Sequence, residues 1–375
     1  MRPVVSLSRP VAAWWLVLAA AVMLALRLQV VLSLPDGEAD AYGHFGAARA
    51  LVEDPANLKV HWVWLPGWHY VLWAMIHCGM SFQGVRIIVT LLQAFAPPLL
   101  YAFVAHRPGE PDPGRARLVA WIAALAWTIA PLSNVLATSA QAEPFFSILV
   151  LATALAIERS RFLVAGLLLA GACLIRYEAW GAVAALALWR LFKRDSVPLS
   201  TLVLPLCAIG AWVALRRYMD GEWFAFVWKT RNFVAQFRTT SGVGTAEEAL
   251  SFLVRTPWRA IGPALLLLPL GIGRAVRPGW IVPAGIGGFL LVSHFGCGSL
   301  DIDRYLTCLV PFACVAIAEG ALRVGELFPR LPRALPLGMV FAALLLTTQA
   351  QLSRFVADTV MREGKLQSMA LKAGT

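Results

Sequence analysis

The chain has few charged residues, and the ones that topology does not explain fall into four groups. Asp36, Glu38 and Asp40 lie within five residues of one another and are followed by Tyr42, His44 and Arg49. Carboxylates this close raise one another's pKa, and one of them, hydrogen-bonded to an acceptor hydroxyl, could act as a general base. The same residues would equally make a solvated acidic turn in front of an amphipathic segment, Ala41 to Val52. Glu143 precedes Pro144, a pattern that suits the first turn of a helix, where a carboxylate meets the positive end of the dipole. It could also be a second acidic site residue. Arg176 and Glu178 separate two short apolar runs, 162–175 and 179–192. They read either as an ion pair holding a hairpin together or as an arginine presented to an anionic head group. Last come Asp301, Asp303, Arg304 and Tyr305. The planar fork of an arginine there matches phosphate oxygens, and a plain interfacial arginine is the alternative.

The elements that carry these groups are helices in a membrane. Hydrophobic residues make up 59% of the 375, charged residues 14%, and mean hydropathy is +0.70. Soluble domains carry about 25% charged residues. Apolar runs of roughly 14 to 25 residues recur from end to end, and in lipid such runs must be helices, which satisfy their own backbone hydrogen bonds. The expectation is an all-α integral membrane protein with about eleven crossings. It is a single polytopic domain, 1–375, with interfacial helices in its first outer loop and in a later one. A catalytic module would occupy 1–218 with its outer loop at 35–62, an outer loop 219–256, C-terminal helices 257–352 and a tail 353–375. Val11 to Leu34 is too long for a signal-peptide core and reads as a retained first helix. The net charge of +11 sits in short clusters between apolar runs, which sets topology and does not point to nucleic acid. Cys78, Cys173, Cys207, Cys297, Cys308 and Cys314 show no metal-type spacing and read as small core residues.

Placing every basic cluster in the cytoplasm orients the chain. Arg2 and Arg9 put the N-terminus inside, and Arg107/Arg115/Arg117, Arg159/Arg161, Arg190/Lys193/Arg194, Arg274/Arg277 and Arg323/Arg330/Arg333 mark inner loops. The four chemical groups then share the outer face. Three apolar stretches, 64–82, 84–105 and 117–138, separate the first outer loop from Glu143, where an even number of crossings is needed. Trp64 to Met80, with Pro66, Gly67, His69 and His77 and a tryptophan-rich start, is the one expected not to cross. In 219–256 the aromatics Trp223, Phe224, Phe226, Trp228 and Phe233 alternate with Lys229, Arg231 and Arg238, which predicts an interfacial helix.

Read in order, these residues resemble the C-type glycosyltransferases, polytopic enzymes that use polyprenyl-phosphate sugars. Asp40-Ala-Tyr42-Gly-His44-Phe-Gly-Ala-Ala-Arg49-Ala-Leu51 is similar to their first periplasmic or lumenal loop. Trp64-Leu-Pro66-Gly-Trp68, Arg86, Ala140-Gln-Ala-Glu143-Pro144-Phe-Phe, Leu174-Ile-Arg176-Tyr-Glu178 and Arg304-Tyr305-Leu with Pro311 resemble the downstream signatures. The likeness spans 10–320 and is nearest the protein mannosyltransferase and lipid A aminoarabinose transferase branch. Gln141 and Ala142 depart from the polar pattern before the glutamate, Tyr177 stands where proline is common, and the tail replaces a large C-terminal periplasmic domain.

That resemblance implies transfer of a sugar, mannose or another hexose or pentose, from a polyprenyl-phosphate donor to a lipid, glycan or protein acceptor, with inversion. Asp40 would be the base, with Glu38 as its rival, and Glu143 or Glu38 would orient the acceptor. Arg304, with Arg176 or Arg86, would bind the donor phosphate, and Tyr42, His44, His61, Trp64, Glu178, Asp303 and Tyr305 would line the substrate side. No cofactor is required, because polyprenyl phosphate is already a good leaving group, although a divalent cation (Mg2+ or Mn2+) could be held by the carboxylates. A bacterial inner membrane with the site facing the periplasm is the implied location. A secondary transporter would be expected to show internal repeats, which the sequence lacks. A non-catalytic lipid-binding subunit would tolerate loss of Asp40.

Overall fold

The computed structural model of the protein describes residues 9–36, 38–105, 112–193, 197–241, 246–295, 303–330, 332 and 334–373. Arg2, Arg107, Arg194, Cys297, Asp301 and Arg333, and the side chains of Arg9 and Arg238, lie outside the described residues. The described part is helical, with no strand.

The chain enters through α1 (Arg9–Ser33), turns at Pro35, and runs back as α2 (Ala39–Glu53). A single 3-10 turn, Leu58–His61, leads to α3 (Pro66–His77), which Pro66 starts at the position where a missing N–H costs nothing. At 12 residues α3 is about 18 Å long, well short of a hydrocarbon core of about 30 Å. Ser81 then caps α4 (Phe82–Ala94) by accepting from Gly84 N at 3.1 Å, and α5 (Ala96–Ala105) continues it. Beyond it come α6 (Pro113–Thr128), the short α7 (Pro131–Leu136), α8 (Glu143–Glu158), α9 (Phe162–Ile175) and α10 (Glu178–Phe192). α11 (Ser200–Asp220) stops at Gly221, whose φ of 77° places it in the left-handed region that glycine enters without strain. The rest comprises α12 (Ala225–Ser241), α13 (Ala246–Ile261), α14 (Leu268–Ala275), α15 (Ile281–Phe295), α16 (Val310–Leu327) and α17 (Ala334–Ala373).

Five segments among the described residues are long and apolar enough to cross a membrane: Phe82–Ala105, Ser200–Asp220, Pro278–Phe295, Asp303–Leu327 and Leu335–Arg354. The protein is therefore a multi-pass membrane protein. Length and composition alone account for five of the crossings expected, about eleven, because other apolar helices among the described residues are shorter. Phe162–Ile175, for example, is 14 residues, about 21 Å. α17 runs on past Gln351 to Ala373.

α6, α8 and α16 bury most of their length and form the centre of the bundle, with Val119, Ala123, Val150, Leu151, Ala154, Val315 and Ala316 enclosed. Small residues set the closest crossings. A Cβ on Gly181 of α10 would sit 2.4 Å from the Gly285 carbonyl of α15, and a Cβ on Gly285 would meet the Gly181 carbonyl at the same distance. The two backbones touch, so dispersion and lipid release favour the pairing. Cys173, Cys308 and Cys314 pack inside as expected of small apolar residues, whereas Cys78 and Cys207 lie on the surface.

Candidate active site

The acidic loop is pinned before it can be used. Asp36 is enclosed: its Oδ2 accepts from Ser139 Oγ (3.0 Å) and Ala140 N (2.9 Å), and its Oδ1 accepts from Glu38 N (3.0 Å). Burial pushes the Asp36 carboxyl above its usual range, while these bonds and Arg86 pull it back. Arg86, from α4, lies 3.7 Å from the same oxygen and donates to the carbonyls of Leu34 (2.7 Å), Thr138 (3.0 Å) and Val31 (3.3 Å). It ties the end of α1 to the turn before α8. Its fork is therefore committed to main-chain oxygens, and it holds the loop instead of facing outward with the other arginines.

With the loop fixed, Glu38 stands just ahead of α2 and Asp40 in its first turn. Both meet Arg304, which the 3-10 segment Asp303–Leu309 delivers ahead of α16. Arg304 Nη2 donates to Asp40 Oδ2, Nη1 lies 3.6 Å from Glu38 Oε2, and Nε lies 3.3 Å from Glu143 Oε1 without the alignment of a hydrogen bond. Glu143, 2% exposed at the first turn of α8, also receives Arg176 Nη1 at 2.5 Å. Arg176 ends α9 and clasps Glu178 through Nε (3.1 Å) and Nη2 (2.7 Å). Its guanidinium stacks over Tyr305, 5.0 Å from the ring centre. Turned to satisfy both partners, the Gln141 amide oxygen accepts from Arg304 Nη1 and Ala41 N, each at 3.1 Å. Four carboxylates thus meet two guanidiniums. The excess is felt at Glu38, which burial and the neighbouring carboxylates raise above the ordinary range against the pull of Arg304.

Behind α2 lies a chain of imidazoles. His44 Nδ1 meets His69 Nε2 at 2.8 Å, and His69 Nδ1 meets His61 Nδ1 at 2.7 Å. Trp64 packs on His44 at 4.5 Å between ring centres. His61 Nε2 is enclosed without a partner, beside Trp212 and Arg216. Arg216 donates to the Trp62 carbonyl (2.6 Å) and pairs with Asp220 (2.5 Å), which also holds Lys229 (2.7 Å).

α12 docks beside this end of the bundle. Phe226 is buried and stacks flat on Tyr177 at 5.1 Å, while Trp223, Phe224, Trp228 and Phe233 remain exposed. The Tyr177 hydroxyl donates to the Val63 carbonyl (3.1 Å) and accepts from Trp212 Nε1 (3.3 Å). The run of aromatics expected to lie at an interface is thus split, one ring inward and the rest outward.

The residues singled out in the sequence divide accordingly. Glu38, Asp40, Glu143, Arg176, Glu178, Arg304 and Tyr305 come together in one cluster. Tyr42 lies at its edge, its hydroxyl accepting from Asp36 N (3.1 Å). His44, His61 and Trp64 are packed behind it. Asp303 turns away to Thr256 Oγ1 (3.0 Å) and Arg259 (3.2 Å), joining α13 to the segment before α16. His69, Gln141 and Arg216 were not among the expected site residues; nothing in their spacing marks them as such, because their partners lie on other elements. Among the described residues no three His, Cys, Asp or Glu side chains are arranged to hold a metal ion.

No protein-family model matches the sequence, and no match is found among curated proteins. Solved structures do resemble the fold. ArnT from Cupriavidus metallidurans bound to undecaprenyl phosphate superposes with a TM-score of 0.55 at 16% identity, over 93% of this chain and 72% of that one. The apo form of the same protein gives 0.50 at 15%, over 93% and 76%. The chain therefore has an ArnT-like all-helical membrane fold.

Proposed function

We propose that the protein is a membrane glycosyltransferase of the C type that takes a sugar from a polyprenyl-phosphate donor. One observation carries the reading: a carboxylate fit to be a base, Asp40, touches an arginine fit to bind phosphate, Arg304, and a second arginine, Arg176, lies one carboxylate away. The ArnT-like fold supports it, one of those structures holding undecaprenyl phosphate.

In this reading the lipid tail stays in the bilayer and its phosphate meets Arg304 and Arg176. The acceptor oxygen attacks the anomeric carbon from the side opposite the phosphate, its proton passes to Asp40, and the carbon–phosphate oxygen bond breaks. Negative charge grows on the departing phosphate, where the two guanidiniums stand ready. A donor of this kind contributes roughly 3 kcal/mol to the transition state. A phosphate arriving at Arg304 competes with Asp40 for the same fork, so donor binding would release the base. Glu143 and Gln141 fix the arginine's other edges. The sugar would be mannose or another hexose or pentose, the acceptor a lipid, glycan or protein. The site would open to the periplasmic face of a bacterial inner membrane, because the basic loops favour the opposite side.

The test uses purified protein in lipid bilayers with undecaprenyl phosphate carrying radiolabelled mannose, glucose or aminoarabinose. Transfer of label, or its release to water as acceptor, is expected from the native protein. Absence of both, together with no binding of undecaprenyl phosphate, would overturn the reading.

A further inference from the structure

We infer that His44, His69 and His61 form a proton relay that drains the Asp40 carboxylate, carrying the acceptor's proton away from the phosphate-binding arginines. This rests on the reading above in one respect, that Asp40 takes that proton.

Among the three imidazoles the contacts are those a relay needs. Each contact between two imidazoles holds one proton, and each neutral ring owns one N–H. His69 uses both of its nitrogens, one toward His44 at 2.8 Å and one toward His61 at 2.7 Å. Only two settings satisfy both contacts: all protons point from His44 toward His61, or all point back. The ends lie where such a chain should begin and finish. His44 follows Asp40 by one helical turn on the same face of α2. The charged groups facing it are Glu143 and Asp40, with Arg304 and Arg176 behind them. His61 faces Arg216 and, through it, Asp220, on the far side of the 3-10 turn. Its Nε2 is enclosed and unpartnered, the one ring nitrogen of the three that is both buried and unbonded.

Burial also keeps the chain neutral, as a relay must be if it is to pass protons without storing one. It holds His44 down to about 4, His61 to about 4 and His69, flanked by both, to about 2. Asp40 is 39% exposed, so water reaches it when its outer oxygen is free.

The step balances without another reactant except water. The Asp40 O–H proton passes to His44 Nε2, the His44 Nδ1 proton to His69 Nε2, the His69 Nδ1 proton to His61 Nδ1, and the His61 Nε2 proton to water. Every ring ends neutral with its contacts pointing the other way, and rotation or reverse flow restores the first setting. A purely structural chain would instead pin α2 to α3 and carry nothing.

The experiment measures release of radiolabelled sugar from undecaprenyl-phosphate mannose, glucose or aminoarabinose in bilayers, against pH and in heavy water. His69→Gln keeps hydrogen bonds but cannot relay. Its turnover is expected to fall about tenfold, with donor KM unchanged and the native solvent isotope effect altered. In His69→Ala, added imidazole should restore part of the loss. His61→Gln, at the far end, repeats the test should His69→Gln fail to fold. Native turnover and a native isotope effect in the folded variants, with Asp40→Asn inactive, would overturn the relay and leave the transferase reading standing. An inactive native protein would overturn both.

Discussion

Arg176 and Arg304 close on a single oxygen, Glu143 Oε1, from 2.5 and 3.3 Å. The carboxylate is enclosed and sits at the start of α8, so it is held by the helix dipole as well as by two cations. It keeps two like charges together that would otherwise repel.

Glu143→Gln should therefore separate stability from binding. Removing one member of a buried ionic group costs roughly 3–5 kcal/mol, and thermal unfolding in bilayers will register it. The freed guanidiniums should bind undecaprenyl phosphate more tightly. Binding about tenfold weaker would mean that the carboxylate orients the arginines for the phosphate instead of competing with it.

Asp40 and Glu38 offer rival bases, and Arg304 contacts both. Asp40→Asn should lower turnover by at least about 10²-fold with donor binding and thermal stability largely kept. Glu38→Gln should cost far less. The reverse pattern moves the base to Glu38, and activity in both variants removes the mechanism.

Arg86 and Arg304 should behave differently although the sequence suggests one role for both. Arg86→Met removes the cation beside the buried Asp36 and the donor to several carbonyls and should destabilise the fold by about 3 kcal/mol, with undecaprenyl phosphate affinity of the folded protein unchanged. Arg304→Lys loses the fork and should weaken that affinity instead. Calorimetry on both variants distinguishes the roles; a selective loss of affinity in Arg86→Met would return it to the phosphate site.

These two arginines also mark how far the sequence could be read. Hydropathy gave away the helices, and Glu143-Pro144 gave away the start of α8, because both signals are local. That Arg304 meets Asp40 across 264 positions could be reached only through a family resemblance. The direction of Arg86 was hidden, since an arginine in an apolar helix looks the same whether it serves a ligand or the carbonyls of a neighbour. The imidazole chain was hidden for a related reason: His44, His61 and His69 come from three elements, and their spacing matches no helical period. The break at Arg176 was legible as two short apolar runs, whereas the turn at Pro131, inside the stretch 117–138, was not.

The imidazoles predict a pH dependence of stability. Folding holds all three below their unfolded value of about 6.5, at about 4, 4 and 2. The unfolded chain therefore binds more protons as pH drops through that interval, and stability should fall between pH about 6.5 and 4. Asp36 and Glu38, raised in the fold, oppose this within their own range. Unfolding followed from pH 7.5 to 4 should show the decline, and His69→Phe should flatten it; an unchanged slope would show that the rings titrate freely.

Orientation is checked by labelling single cysteines in a background lacking the six native ones. Tyr218 and Trp223, both exposed, should react from the outer face, and Arg159 from the cytoplasmic face. Labelling of Tyr218 only from inside would invert the protein.

The flat stack of Phe226 on Tyr177 has a mechanical consequence. Tyr177 stands between Arg176 and Glu178, and Trp228 and Phe233 of α12 are exposed, rings that would settle at head-group depth in a bilayer. A change in bilayer thickness or lateral pressure that raises or tilts α12 pulls on the residue next to the arginine. Turnover should then vary with acyl-chain length at fixed head-group composition, with the lipid acting as a lever as well as a solvent.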